Sequence, residues 1–231
     1  MSSLQNVGGR IGSARDVTYK WLKQHIAELP RDGGVFLSES EVAQAAGTSR
    51  TPVREALLRL QTEGLLTIVP KKGAYVPPIS DNEIQSVMQA RGLVEDWSVR
   101  HVVPAQPSFI GELERIVAEQ ETLIDDPVAF IDRDRAFHRA IVRQAGNPVL
   151  AEFYESLRER QIRMGLRAVA NEENRARTVL AEHTAIVRSL AVGDADSVCA
   201  ALAAHLESTL SALRLPVAAE WDRAHSMGGL S

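Results

Sequence analysis

The first part of the chain shows apolar positions at helical spacing, interrupted by short polar breaks. Between Asp16 and Leu29, apolar residues recur three or four positions apart, which predicts an amphipathic helix. The segment PRDGG ends it. SESEVAQAAG then predicts a short helix, because Ser38 and Glu41 form an S-x-x-E capping box and Gly47 is a typical helix stop.

The next stretch predicts a third helix followed by a β-hairpin. The helix is expected to open within residues 48–51 and to run to about Gly64, with Pro52 in its first turn, where a missing N–H costs least. LLTIVPKKGAYVPP then predicts two short strands around a Lys-Lys-Gly turn, and Pro77-Pro78 marks a linker. This order of elements predicts a winged helix-turn-helix over residues 13–78.

Beyond Ser80 the pattern is helical up to Leu215. Breaks at VPAQP, DDP, AGNP, ANEEN and VGDAD separate about six helices with short connections, which predicts an all-α bundle of antiparallel neighbours over residues 79–215. The fold class is therefore mainly α. The Ser- and Gly-rich residues 1–12 are expected to form a flexible tail, and residues 216–231 a C-terminal tail.

Composition supports helices and narrows the class of protein. Hydrophobic residues make up 45% of the chain, charged residues 24% and aromatic residues only 5%. The single cysteine, Cys199, allows no internal disulfide and favours a reducing compartment. No stretch approaches the ~20 apolar residues of a membrane span, and the N-terminus lacks an apolar signal core. We therefore expect a cytoplasmic protein without a membrane partner.

Charge is distributed unevenly along the chain. Residues 1–78 carry ten Lys and Arg against seven Asp and Glu, a net charge of +3. The remaining residues carry 16 against 23, a net charge of -7, which gives -4 for the whole chain. A basic N-terminal segment followed by an acidic remainder indicates that the N-terminal segment binds a polyanion.

Two arginines lie at the start of the predicted third helix, where a helix-turn-helix approaches DNA. Arg50 and Arg54 lie beside the apolar arc of about 100° that would face the small core, which is formed by Val53, Ala56, Leu57 and Leu60. Arginine binds guanine or a phosphate with two parallel hydrogen bonds. Lys71 and Lys72, at the predicted wing tip, suit contact with the DNA backbone or minor groove. A solvated helix face is the alternative interpretation of the arginine pair.

Four polar residues of the second half fall on apolar helix faces. Asp134 and His138 are four apart on one face. His183 precedes Asp194, in the predicted last turn, by eleven residues, and His205 follows it by eleven, so an antiparallel hairpin brings the two histidines level. Three histidines and a carboxylate suit Zn, Ni, Fe or Mn. A polar core cluster without a metal is the alternative.

The segment LSESEVAQAAGTSRTPVREALLRLQTEGLLTIVPKKGAYV closely resembles the DNA-binding domain of the GntR family of bacterial repressors. The resemblance implies base and phosphate contacts at the helix start and wing. The DNA-binding residues expected are Arg50, Thr51, Arg54, Lys71, Lys72 and Gly73. Many relatives have an arginine where this chain has Ser40, so the operator sequence is expected to differ at that contact.

The segments RGLVE, DRAFHRAIVRQAGNPVL, EHTAIVRSLAVGDA and AHL resemble the C-terminal effector domain of the FadR/FCD-type subgroup. With the N-terminal match, the resemblance covers roughly residues 15–215. It implies a divalent metal, zinc first, inside a helical pocket for a small organic acid, with Asp134, His138, His183 and His205 as its ligands. Arg91 is the residue expected to bind the effector carboxylate, and an Arg91–Glu95 pair on the helix surface is the alternative.

These features predict a dimeric, metabolite-responsive transcription regulator, expected to be a repressor and not an enzyme. Two recognition helices of a homodimer would bind a pseudo-palindromic operator in double-stranded DNA. One alternative is a metal-dependent enzyme with an accessory DNA-binding domain, although the chain has no H-E-x-x-H motif. Another is an architectural DNA-binding protein with a purely structural bundle, which leaves the four inward polar residues unexplained.

Overall fold

The computed structural model describes residues 13–29, 33–171 and 174–214, and the tails expected at residues 1–12 and 216–231 lie outside them. The three strands are β1 (Val35–Leu37), β2 (Thr67–Val69) and β3 (Gly73–Val76). The helices are α1 (Ala14–Glu28), α2 (Glu39–Ala45), α3 (Arg50–Thr62), α4 (Asp81–Val102), α5 (Pro107–Glu121), α6 (Pro127–Gln144), α7 (Pro148–Ser156), α8 (Arg158–Asn171), α9 (Arg175–Val192) and α10 (Ala195–Arg214).

The chain divides into two compact units. The first comprises Met1–Ile26 with Val35–Pro77, and the second comprises Ala27–Gly34 with Pro78–Ser231. The first unit contains the helix-turn-helix and all three strands, and the second contains the helices from α4 onwards.

Local sequence signals explain the helix-turn-helix of the first unit. The capping box at the start of α2 forms as predicted: the Glu41 N–H donates to the Ser38 hydroxyl at 3.2 Å, and the Ser38 N–H donates to the Glu41 carboxylate at 3.3 Å. Gly47 follows with φ of 62°, a left-handed conformation that suits glycine. The four apolar residues predicted for the inner face of α3 are all buried: Val53, Ala56, Leu57 and Leu60.

The two strands predicted around the Lys-Lys-Gly turn are confirmed, because β2 and β3 pair antiparallel. The sequence missed a third strand: β1 pairs antiparallel with β3 and gives the order β1-β3-β2. In this register Phe36 lies opposite Tyr75, with ring centroids 4.9 Å apart. A three-residue strand is too short to show an alternating pattern, so only its distant partner reveals it.

The second unit is a helical bundle with one helix more than expected. Helices α4 to α10 number seven among the described residues, whereas the sequence predicted about six. The missed boundary is Leu157, a buried residue between α7 and α8. No glycine or proline occurs between Val149 and Met164, so the turn has no sequence signal and is defined by packing.

The hairpin of α9 and α10 determines the relative height of their side chains. Gly193 ends α9 in a left-handed conformation, with φ of 81°, and its N–H donates to the carbonyls of Ser189 and Leu190. Asp194 then accepts hydrogen bonds from the first turn of α10, including the N–H of Ser197 at 3.3 Å.

Among the described residues, no helix is both long and apolar enough to cross a membrane.

Candidate functional site

Three helices of the second unit bring one carboxylate and three imidazoles together. Asp134 and His138 come from α6, His183 from α9 and His205 from α10. Each offers one ligand atom, and these atoms all lie within 4.8 Å of one another. The histidines are buried and Asp134 is half-buried. The predicted hairpin register is confirmed, because the rings of His183 and His205 lie 4.9 Å apart.

Each of the three histidines has a hydrogen-bond partner on its Nδ1 atom. His138 Nδ1 lies 2.8 Å from Glu95 Oε2, and His205 Nδ1 lies 2.7 Å from Glu182 Oε2. His183 Nδ1 lies 3.0 Å from the amide oxygen of a third residue, Gln120. All three partners are acceptors, so Nδ1 carries the proton of the neutral ring and Nε2 carries the lone pair.

The Nε2 atoms of two of these rings face each other without a donor between them. His183 Nε2 lies 3.3 Å from His138 Nε2 and 3.5 Å from the Asp134 carboxylate. With both Nδ1 atoms protonated, two nitrogen lone pairs and an anionic oxygen meet at one point. A cation satisfies all of them, so this donor set fits a divalent metal such as zinc.

His183 and His205 stay neutral in this environment. Burial, reinforced by the neighbouring His205 and His138, lowers the pKa of His183 well below 6.5. Burial also lowers the pKa of His205, although its hydrogen bond to Glu182 opposes the shift. Neutral imidazole is the form that coordinates metal, so these ligands remain available at pH values below 6.5.

Glu95 is at the centre of a buried network next to His138. Its Oε1 accepts the Arg91 Nε–H at 2.9 Å and the Tyr154 hydroxyl at 2.6 Å, while Oε2 faces His138. Burial by itself would raise the pKa of Glu95, but the charge of Arg91 and the hydrogen bonds from its neighbours hold that pKa well below its usual range. Glu95 is therefore a carboxylate, and the surface Arg91–Glu95 pair considered from the sequence is present but buried.

Glu182 has a corresponding role next to His205. Arg175, which is 1% exposed, donates from its two terminal nitrogens to the two Glu182 oxygens, at 3.2 Å each. The same nitrogens donate to the hydroxyls of Ser208 at 2.6 Å and Thr209 at 2.8 Å. Arg175 thus ties the start of α9 to α10 and fixes the carboxylate that faces His205.

A small cavity borders the cluster. Its free volume is about 20 Å³, which is enough for roughly one ordered water molecule. Asp134, His205, Arg91 and Arg175 line it, together with Gln161. The side-chain nitrogen of Gln161 is buried and has no hydrogen-bond partner among the described residues. The cavity beside the histidine cluster is therefore lined by two guanidinium groups and one unsatisfied donor.

The residues predicted to bind DNA lie in the first unit and are largely exposed. Arg50, Thr51 and Arg54 lie in the first turns of α3, and the Arg54 Nε–H donates to Glu39 at 2.7 Å. Lys71 and Lys72 are exposed between β2 and β3.

Gly73 has a structural role of its own, independent of any DNA contact. Its φ is 106°, and a Cβ atom there would lie 2.5 Å from the backbone oxygen of Leu37. A side chain at this position therefore forces the backbone of β1 or β3 to move.

Sequence reasoning missed the contacts by which Glu95, Gln120 and Glu182 hydrogen-bond the three histidines. Arg91 and Glu95 are four apart on α4, a spacing that indicates a pair but not its burial. Glu182 is adjacent to His183 in sequence, yet it contacts His205 on the next helix. Gln120 carried no signal, because only the packing of α5 against α9 brings it to His183.

A winged helix-turn-helix with exposed arginines at the head of its third helix defines a DNA-binding regulator, here joined to a helical domain. Residues 15–76 match the gntR family of bacterial regulatory proteins, and residues 86–208 match the FCD domain. The chain belongs to the GntR family, in the group that carries an FCD domain, and it is a DNA-binding transcription regulator.

Curated relatives agree with this assignment, and a solved structure shares the fold. The chain is 30% identical over 217 residues to an HTH-type transcriptional regulator in an unstable DNA locus of Streptomyces ambofaciens, covering 92% of this chain and 87% of that protein. It is 29% identical to the HTH-type transcriptional repressor RspR of Escherichia coli K12, covering 85% and 87%. A GntR regulator from Rhodococcus sp. RHA1 has the same fold, with a TM-score of 0.56 at 22% identity, covering 87% of this chain and 98% of that one.

Proposed function

We propose that this regulator is a repressor whose operator affinity is controlled by a small carboxylate bound at a metal centre in the FCD domain. The observation that carries the proposal is the convergence of one nitrogen from each of three imidazoles and the Asp134 carboxylate beside a cavity lined by Arg91. DNA binding belongs to the first unit and effector binding to the second.

The DNA contacts proposed are those of the recognition helix and the wing. Arg50, Thr51 and Arg54 lie where a helix-turn-helix presents side chains to the major groove. Lys71 and Lys72, next to Gly73, would contact the backbone. A homodimer places two such heads on a pseudo-palindromic operator, because its two-fold symmetry matches that of the DNA.

The metal would be held by Asp134, His138, His183 and His205. Nitrogen and oxygen donors of this kind suit zinc first, and nickel, iron or manganese as alternatives. When bound, the metal supplies a Lewis-acidic positive charge that attracts a carboxylate. The rest of the recognition comes from this chain's own side chains.

Charge determines the order in which metal and effector bind. The three carboxylates of the centre, Asp134, Glu95 and Glu182, outnumber the guanidinium groups of Arg91 and Arg175 by one while the histidines are neutral. The centre without metal is thus net negative and repels an anion. A divalent cation makes it net positive by one charge, so a carboxylate binds after the metal.

Arg91 and Gln161 would bind the effector's carboxylate or its other acceptor atoms. Arg91 lines the cavity while its Nε holds Glu95, and the Gln161 amide nitrogen there lacks a partner among the described residues. A cavity of about 20 Å³ is too small for an organic acid, so the lining side chains must move when the acid enters. This movement gives the effector a differential affinity for two states, which is what regulation requires.

Metal analysis and operator release test this proposal. The protein is purified in chelator-free buffer supplemented with divalent metals, and its metal content and mass are measured under native conditions. Operator fragments are selected from genomic DNA, and a panel of small carboxylates is then screened for DNA release by the metal-loaded protein. We expect about one metal per protomer, a dimer, and release by at least one acid. A protein that binds no metal under these conditions contradicts the proposal.

A further inference from the structure

Resting on the proposed metal site, we propose that Glu95, Glu182 and Gln120 are positioning residues of the metal centre. Each accepts the Nδ1–H of one ligand histidine and thereby keeps the lone pair of its Nε2 directed at the metal. The contacts are the three Nδ1 hydrogen bonds of 2.8, 2.7 and 3.0 Å. Such acceptors decide which ring nitrogen is free to coordinate, so the ligands alone do not define the site.

Gln120 is held in the orientation that this role requires. An amide side chain can present either its oxygen or its nitrogen to a neighbour. Here the Gln120 nitrogen donates to the backbone oxygen of Phe130 at 3.5 Å, so the oxygen faces His183. Gln120 is 0% exposed, and no solvent competes for this contact.

Glu95 is the most constrained of the three. Arg91 has donors only, so an acceptor must remain at the Oε1 position, where its Nε–H arrives at 2.9 Å. In Glu95→Gln the amide oxygen is therefore retained at that position, and the NH₂ group faces His138. A donor on that side makes Nδ1 the acceptor and moves the His138 proton to Nε2. The substitution thus removes a metal ligand without touching it.

At Glu182, unlike Glu95, a glutamine can still present an acceptor to its histidine. Arg175 approaches both of its oxygens, at 3.2 Å each, and His205 approaches Oε2 at 2.7 Å. In Glu182→Gln the amide oxygen can occupy the Oε2 position and accept from both partners there. Only one hydrogen bond from Arg175 is lost, and the tautomer of His205 is preserved. The two isosteric changes therefore have unequal effects.

The first measurement compares zinc affinity, by chelator competition, in the full-length wild type and in the two variants. We expect a loss of about 100-fold for Glu95→Gln and about 10-fold for Glu182→Gln, the two ends of the range for residues behind metal ligands. The matched control Glu119→Gln, on an exposed glutamate adjacent to Gln120, is expected to bind zinc as wild type does. Equal losses in the two variants, or wild-type affinity in Glu95→Gln, would overturn the inference.

The second measurement reads the tautomers directly, and its decisive result comes from the wild type. Nitrogen-15 NMR of the metal-free wild type is expected to show the Nδ1–H form for His138, His183 and His205, and Glu95→Gln is expected to show Nε2–H for His138. An Nε2–H form of His138 in the wild type would overturn the inference, even if Glu95→Gln failed to fold. A wild type with the expected tautomers that binds no zinc would instead contradict the proposed function.

Discussion

Arg54 of the first unit and Arg91 of the second form the same kind of ion pair in opposite surroundings. Each donates its Nε–H to a glutamate, at 2.7 Å to Glu39 and at 2.9 Å to Glu95. The Arg54 side chain is 63% exposed, whereas that of Arg91 is 8% exposed. An exposed pair is weak and can exchange its glutamate for a phosphate or a base. A buried pair cannot be opened cheaply, so it fixes whatever it touches.

Exposed and buried side chains are held in their orientations in different ways. Arg54, if it contacts DNA as proposed, needs only its position at the start of α3, because the DNA would supply its partner. The histidines proposed as metal ligands would need a second layer of side chains, because the orientation of an imidazole depends on what its other nitrogen contacts.

His183→Ala is expected to abolish metal binding at micromolar metal while leaving operator affinity at the wild-type value. The change removes one of four ligands from the buried cluster and none of the residues of the helix-turn-helix. Equilibrium dialysis and DNA-binding titrations measure the two quantities in parallel. Since a metal present at 100 times its dissociation constant stabilises the fold by about 2.7 kcal/mol, chelation is expected to lower the melting temperature of the wild type but not of the variant.

Glu95→Ala is expected to destabilise the protein by about 3–5 kcal/mol, because it leaves the Arg91 charge buried without its carboxylate. The matched change Glu39→Ala opens the exposed pair and is expected to cost about 0–1 kcal/mol. Urea unfolding of both metal-free variants gives the comparison. Similar losses for the two would mean that burial does not distinguish the pairs.

Arg54→Ala is expected to weaken specific operator binding by about 1–3 kcal/mol and to relax discrimination at one base position. Its control, Lys72→Ala, removes an exposed charge of the wing and is expected to weaken binding to all sequences. The DNA affinity of this variant should depend less on salt concentration than that of the wild type. Binding titrations at physiological salt on operator and scrambled DNA separate the two. If Arg54→Ala binds its operator as wild type does, the recognition helix is assigned wrongly.

Acidification is expected to destabilise the metal-free protein once the pH falls below about 6.5, where histidines of the unfolded chain take up protons. Burial holds the pKa of His183 well below that value and lowers the pKa of His205, so the folded protein binds fewer protons there. Stability therefore falls with falling pH, by at most about 1.4 kcal/mol per pH unit for each histidine.

Urea midpoints between about pH 7.5 and pH 5.5 test this sign. The double change His183→Ala, His205→Ala removes both rings and should flatten this slope. A slope of zero across this range would mean that the two rings take up protons in the folded protein as readily as in the unfolded chain.

Local rules allowed the sequence to predict much of the first unit and the four clustered side chains. The capping box of α2, the left-handed Gly47 and the buried face of α3 all depend on residues within one or two turns of each other. The approach of His183 to His205 followed from equal spacing on either side of one turn. Helical periodicity likewise placed Asp134 and His138 on one face.

Only the tertiary structure decided the rest, because the deciding contacts join distant segments. β1 exists through its pairing with β3, and the boundary at Leu157 depends on packing rather than on a helix-breaking residue. Glu95 reaches His138 across 43 positions of sequence, and Gln120 reaches His183 across 63. Periodicity shows which way a side chain points from its own helix, but the neighbour it meets depends on how helices pack, which no local pattern encodes.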